Sequence, residues 1–321
     1  MGNDWLELTV TCMPEAVEAV SEAMNRFAPG GVAIEEPYSL ADDGQEAVPI
    51  PDAPVTVRVY VPAGERGAEA RAGIEEALWH IRQIGFGEIS GASERAIAEE
   101  DWANAWKEHF HVLHLGRRTV IKPTWRDYTA QPGEIVVELD PGMAFGTGLH
   151  PTTRGCILAL EDALREGDRV LDVGTGSGIL GLAALKLGAA SVRALDVSPE
   201  AVDAARANAA ANGVAGRMTV EMATLEGAID GGHFPLPPGV ATLGAETGEY
   251  DVVLANIIAR VIMQIAPALV RATRPGGVLI ASGIINERRA ETEEALRAAG
   301  MPEMEAIVDG DWVTLAGRRP S

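Results

Sequence analysis

The run Val170-Leu-Asp-Val-Gly-Thr-Gly-Ser-Gly178 decides the fold. It begins as an apolar strand, turns on Gly174, Gly176 and Gly178, and opens into the helical stretch Leu180–Leu187. Glycine adopts positive φ at little cost and lets a ligand come close to the backbone. The first N–H groups of the following helix have no partner inside that helix. A strand ending in such a turn predicts an open α/β sheet with its ligand at the carboxyl edge.

Downstream, strands and helices alternate. Arg169–Val173, Ser191–Val197, Met218–Met222, Asp251–Ala255 and Val278–Ser282 read as strands, with Leu180–Leu187, Pro199–Asn212 and Arg260–Thr273 as helices between them. This order predicts a doubly wound, Rossmann-like parallel sheet covered on both faces. Glu305–Val308 and Trp312–Ala316 flank Asp309-Gly310-Asp311 and predict a hairpin, which puts an antiparallel strand near one edge. Residues 223–249 break the alternation, and His233-Phe-Pro-Leu-Pro-Pro-Gly239 reads as part of a long surface insertion.

Upstream, the pattern changes. Trp5–Cys12 alternates Leu6, Leu8 and Val10 on one face, and Val55–Val61 alternates again. Pro14–Ala28 and Ala68–Ile84 carry helical stripes, Val32–Ile34 is a short strand, and residues 88–97 supply a fourth. Residues 37–54 read as an exposed loop. The order βαββαβ predicts a small ferredoxin-like α+β domain. The expected organisation is a domain over 1–97, a junction over 98–117 and a ligand-binding domain over 118–321. In the junction, Trp102, Trp106 and Phe110 recur at helical spacing. His109, His111 and His114 lie close together there, but no carboxylate or cysteine follows at ligand spacing, so no metal site is expected.

Composition narrows the class. A chain of 321 residues with 47% hydrophobic residues has enough apolar mass for two cores. The net charge of -21 argues against a nucleic-acid partner, because phosphate binding needs a basic surface, and suits a basic protein partner. The two cysteines, Cys12 and Cys156, form no disulfide or zinc pattern. No apolar run approaches the ~20 residues needed to span a bilayer. The sequence is read as a cytoplasmic protein without membrane contact, and a monomer is expected.

Two ligands use a turn of this kind. Gly176-Ser-Gly178-Ile-Leu-Gly181 matches the dinucleotide pattern G-x-G-x-x-G, while Asp172, Gly174, Gly176 and Gly178 match the turn that binds S-adenosyl-L-methionine. Asp172 favours the second, because a carboxylate suits an ammonium group and repels a diphosphate. Asp196, ending the next strand, is positioned to accept hydrogen bonds from ribose hydroxyls. Its alternative role is that of an acid at a helix start, although Ser198 and Pro199 already supply cap and first helical residue.

The strand Tyr250-Asp-Val-Val-Leu-Ala-Asn256 ends in a neutral amide. An amine must be uncharged to attack a methyl sulfonium. A carboxylate beside it would hold it protonated, whereas an amide oxygen orients it without that penalty. Asn256 is therefore the candidate catalytic residue, with capping of the next helix as its alternative role.

The segment Asp140-Pro-Gly-Met-Ala-Phe-Gly-Thr-Gly-Leu-His-Pro-Thr-Thr153, taken with Asn256-Ile-Ile, resembles the ribosomal protein L11 methyltransferases, the PrmA family. The resemblance covers most of residues 100–321 and extends by architecture to the N-terminal domain. It implies an S-adenosyl-L-methionine-dependent protein methyltransferase acting on lysine ε-amino and N-terminal α-amino groups of ribosomal protein L11. By that likeness Thr153, Gly174, Asp196 and Asn256 bind the methyl donor, Phe145 and Thr147 belong to a loop that folds over it, and the N-terminal domain recognises the protein substrate. The family usually shows Asn-Ile-Leu where this chain has Asn256-Ile-Ile. The alternative is methylation of lysines on a different protein. An NAD-dependent dehydrogenase is disfavoured by Asp172.

Overall fold

A computed structural model describes residues 5–27, 32–35, 37–40, 47–50, 53–84, 88–97, 111–140, 150–226, 239–244 and 248–321. The chain divides into two compact units, Met1–His111 and Val112–Ser321.

The first unit is built on a four-stranded antiparallel sheet. Its strands are β1 (Trp5–Cys12), β2 (Val32–Glu35), β5 (Val55–Pro62) and β6 (Ser93–Ile97), in the order β2-β5-β1-β6. Helices α1 (Val17–Asn25) and α2 (Glu65–Ile84) pack against each other and against β5. Every second residue faces them: Leu8, Val10, Val57 and Val59 are sealed with Val20, Met24, Ile74 and Leu78. The first helix starts later than the sequence suggests, because Pro14–Ala16 forms a 3-10 turn before it. Residues 37–54 are not wholly loop. Strands β3 (Tyr38–Leu40) and β4 (Ala47–Pro49) pair antiparallel, and three-residue strands are too short to show a period.

The second unit carries two sheets. In the smaller one, β7 (Leu113–His114) pairs antiparallel with β8 (Thr119–Pro123), which pairs parallel with β9 (Ile135–Leu139). Residues 113 and 114, read from sequence as junction, thus belong to this sheet. The main sheet has eight strands: β10 (Arg169–Val173), β11 (Ser191–Asp196), β12 (Met218–Leu225), β13 (Ala241–Leu243), β14 (Tyr250–Asn256), β15 (Thr273–Ile285), β16 (Glu305–Asp309) and β17 (Trp312–Arg318). Their order is β13-β12-β11-β10-β14-β15-β17-β16; β10 to β15 are parallel, and the final hairpin is antiparallel. This is a mixed α/β fold with a mostly parallel central sheet.

Helices α3 (Pro151–Ala163), α4 (Ile179–Leu187) and α5 (Pro199–Ala211) adjoin in series, while α6 (Ala259–Ala272) packs with α7 (Arg289–Ala298). Strand β14 meets both α3 and α6, so Val252, Val253, Leu254 and Ala255 are all buried despite pointing alternately. The stretch 223–249 is read from sequence as one long surface insertion, of which 227–238, with most of the proline-rich run, and 245–247 lie outside the described residues. In the remainder β12 instead runs on to Leu225, and β13 adds an edge strand parallel to it, because Ala241-Thr-Leu243 resumes strand pairing after the proline-rich run.

Among the described residues no helix is long and apolar enough to cross a membrane. The expected helix through Trp102, Trp106 and Phe110, and His109 beside it, lie outside the described residues. His114 bonds through Nε2 to the Tyr128 hydroxyl and to Glu134, both at 3.2 Å. No cluster of three metal-binding side chains is found among the described residues.

Candidate active site

The glycine turn leaves β10 at Gly174. Gly174, Gly176 and Gly178 have φ of 73°, 55° and 86°, a region that disfavours any residue with a Cβ. The N–H groups of Gly174 and Thr175 donate to the Leu195 carbonyl at 2.8 and 3.0 Å, which ties the turn to the end of β11. Gly178 caps α4, and its N–H donates to the Thr175 carbonyl at 2.9 Å.

Asp172 lies under this turn, with no exposed surface. Its Oδ2 accepts from the Thr175 hydroxyl at 2.7 Å and from the Gly181 N–H at 3.1 Å. The carboxylate therefore locks the turn onto the first turn of α4. Gly181 is the third glycine of the dinucleotide pattern, and its N–H faces a carboxylate, which disfavours a diphosphate nearby. Burial pushes the Asp172 carboxyl up to about 6; the Thr175 and Gly181 bonds oppose that rise and the Asp196 charge adds to it. Among the described residues its Oδ1 has no hydrogen-bond partner, and the same is true of the Thr153 Oγ1 on α3, a residue 1% exposed. Buried polar atoms are rarely left unanswered. A carboxylate oxygen and a hydroxyl, both unanswered, fit a ligand that carries an ammonium group.

Asp196 ends β11 and is partly exposed. Its Oδ2 accepts from the Gly176 N–H at 2.8 Å and its Oδ1 from the Ser198 N–H at 3.0 Å. Ser198 itself caps α5, accepting from Ala201 N–H at 3.2 Å, so Asp196 is not the cap. Each Asp196 oxygen retains a second lone pair for a ligand hydroxyl.

Asn256 ends β14. The pairing of Val173 with Ala255 brings Gly174 and Asn256 to one level of the carboxyl edge. Asn256 does not cap α6: the cap position is Ile258, with no side-chain bond. Its amide makes no hydrogen bond with a described residue. Ile257 packs against the turn, since a Cβ added to Gly174 would meet its Cγ2 at 2.2 Å. On its other side, a Cβ at Gly283 would meet the Ile257 carbonyl oxygen at 2.3 Å. The peptide that carries Asn256 is thus wedged between two glycines of positive φ, and its position follows that of the turn. Thr153, Asp172, Gly174, Gly176, Asp196 and Asn256 are placed as described; Phe145 and Thr147 lie outside the described residues.

The profile of the ribosomal protein L11 methyltransferase (PrmA) family matches residues 4–320. The chain belongs to that family. A ribosomal protein L11 methyltransferase of Chloroflexus aurantiacus is 46% identical over 327 residues, covering 99% of each chain. One of Herpetosiphon aurantiacus is 43% identical, covering 98% of this chain and 99% of its own. The crystal structure of a ribosomal protein L11 methylase from Lactobacillus delbrueckii subsp. bulgaricus is 34% identical with a TM-score of 0.56, covering 66% of this chain and all of that one.

In this member of the PrmA family, two residues at the site escaped the reading of sequence. Thr175 holds Asp172, and the signal for it was the polar residue inside the glycine run, three positions after the acid. His150 caps α3: its Nδ1 accepts from the Thr152 N–H at 3.3 Å and bonds the Thr152 hydroxyl at 2.7 Å, and the ring stacks edge-on to Trp312 at 4.5 Å. Burial pushes its pKa down to about 4, so it is a neutral cap rather than a charged group.

Proposed function

We propose that this chain transfers methyl groups from S-adenosyl-L-methionine to lysine ε-amino and N-terminal α-amino groups of ribosomal protein L11. Family membership supports the reaction and the substrate. The observation that carries the mechanism is the Asn256 amide: neutral, engaged by no described residue, and level with the glycine turn.

When bound, S-adenosyl-L-methionine supplies an electrophilic methyl group on a sulfonium. The Gly174–Gly178 backbone lets it approach closely. Asp196 accepts its ribose hydroxyls, while Thr153 Oγ1 and Asp172 Oδ1 answer its ammonium. Phe145 and Thr147 are assigned to the same ligand by resemblance. Asn256 accepts a hydrogen bond from the incoming neutral amine and turns its lone pair towards the methyl group. Positioning, rather than proton transfer, supplies the acceleration. Among the described residues no side chain at the site has the character of a strong base, so the amine loses its proton to solvent.

The N-terminal unit is read as the substrate-recognition domain. Its strand order β2-β5-β1-β6 supports the ferredoxin-like reading, and the sheet face away from the helices is polar, with a hollow lined by Glu7, Thr9, Arg58 and Arg95. The boundaries 1–97, 98–117 and 118–321 belong to this proposal.

The test is transfer of labelled methyl to purified large-subunit ribosomal proteins. Label is expected on L11, and Asn256→Ala is expected to lower kcat about 100-fold. Label on another protein alone would replace the substrate. Full activity in the variant would remove Asn256 from the mechanism.

A further inference from the structure

Asn208 on α5 and Asn212, the C-cap residue one turn further on, treat the chain at the end of β9 alike. The Asn212 Oδ1 accepts the Glu138 N–H at 3.0 Å, and its Nδ2 donates to the Glu138 carbonyl at 2.6 Å. The Asn208 Oδ1 accepts the Asp140 N–H at 2.9 Å, and its Nδ2 donates to the Asp140 carbonyl at 2.9 Å. Each amide closes a two-bond ring with one residue of the chain, as a neighbouring strand would. The spacing permits this: four helical residues rise about 6 Å, and two strand residues rise about 6.6 Å.

The two side chains differ in their remaining donor bond. Asn212 spends it within its own helix, on the Asn208 carbonyl at 2.9 Å. Asn208 spends it on the Ser177 carbonyl at 2.9 Å, inside the glycine turn. Asn208 is 1% exposed. Its one accepted and two donated bonds fix the amide orientation, since the flipped amide would set its oxygen against two carbonyls.

We propose that Asn208 is a positioning residue for the methyl-donor pocket. It joins Asp140, the residue that follows β9, to the glycine turn at Ser177, so that the turn keeps its place against the end of β9. The proposal rests on the reading that the glycine turn holds S-adenosyl-L-methionine. Asn212 provides the internal control, because it makes the same bonds to β9 without touching the turn.

The experiment compares Asn208→Ala with Asn212→Ala by calorimetric titration with S-adenosyl-L-methionine and by residue-resolved amide hydrogen exchange on the ligand-free protein. Asn208→Ala is expected to raise the Kd about tenfold and to speed exchange at Gly176 and Gly178 about tenfold, whereas Asn212→Ala leaves both within twofold. Equal effects from the two variants, or unchanged exchange at the turn in Asn208→Ala, would overturn it. Should Asn208→Ala not fold, Asn208→Ser keeps a polar group at the site and takes its place. A wild-type protein that does not bind S-adenosyl-L-methionine would sink the cofactor reading alone, and the exchange comparison would still decide the role of Asn208.

Discussion

Strands β5 and β14 are both interior strands of their sheets, yet they are buried differently. In β5, Val55, Val57, Val59 and Val61 are sealed under helices while Thr56, Arg58 and Tyr60 point to the other face. In β14, four consecutive residues from Val252 to Ala255 are sealed, because helices cover both faces. A one-sided sheet leaves a face on which to place polar groups, and a two-sided sheet leaves only its edges. The buried carboxylates follow suit. Glu7, on the polar face of β1, meets Arg95 at 3.2 Å and the Tyr60 hydroxyl at 3.1 Å. Asp172, inside the two-sided sheet, accepts hydrogen bonds only from Thr175 and Gly181 among the described residues.

The largest expected effect tests the burial contrast. Leu254→Ala should cost about 4 kcal/mol in urea unfolding, as a cavity opens where no solvent reaches. Thr56→Val should stay within about 0.5 kcal/mol, since that side chain is partly exposed on the face away from the helices. A comparable loss at both positions would break the contrast.

The next effect concerns the carboxylates. The Asp172 carboxyl is raised from 3.8 to about 6, so the folded state holds a proton that the unfolded state has released between those values. This group's contribution to stability is therefore intact below pH 4, falls as pH rises through about 6, and stays lost above that. One pKa unit corresponds to about 1.4 kcal/mol. Asp172→Asn should accordingly raise the stability of the ligand-free protein by up to about 3 kcal/mol at pH 8, shrinking towards pH 4, while weakening S-adenosyl-L-methionine binding. A pH-independent change in unfolding midpoint would show that the buried charge is not its source.

The smallest effect belongs to the uncovered face. Arg95→Ala should raise the KM for the protein substrate about fivefold, near 1 kcal/mol, and leave kcat unchanged. An equal fall in kcat would place the first unit's influence in the chemical step, contrary to a role in recognition.

Legibility followed the same division. The parallel strands β10, β11, β12, β14 and β15 are legible from their apolar residues, and the closing hairpin from Asp309-Gly310-Asp311 between two alternating runs. Helices α3 and α7 went unread. The first begins at His150-Pro151 directly after a glycine-rich string, and the second, Arg289–Ala298, is half charged, with only Thr292 and Leu296 buried. Strands β3, β4 and β13 have three residues each, below the length at which a period can be seen.

At the site, Asp196 and Asn256 were found because each ends an apolar strand, and strand ends are where such sheets bind. Neither the wedge of Ile257 between Gly174 and Gly283 nor the Asn208 bridge was visible that way. The wedge joins residues 83 and 26 positions apart by number, and the bridge spans 68 and 31.

The sequence by itself determined which segments alternate, where the chain must turn with positive φ, and which residue types stand at the strand ends, because these depend on neighbours within a few positions. The tertiary structure alone decided that Asp172 and Thr153 each keep a buried oxygen without a partner among the described residues, and that one asparagine holds the glycine turn to the end of β9. Burial and hydrogen-bond partnership depend on what other segments bring to the same place, and no local pattern records that.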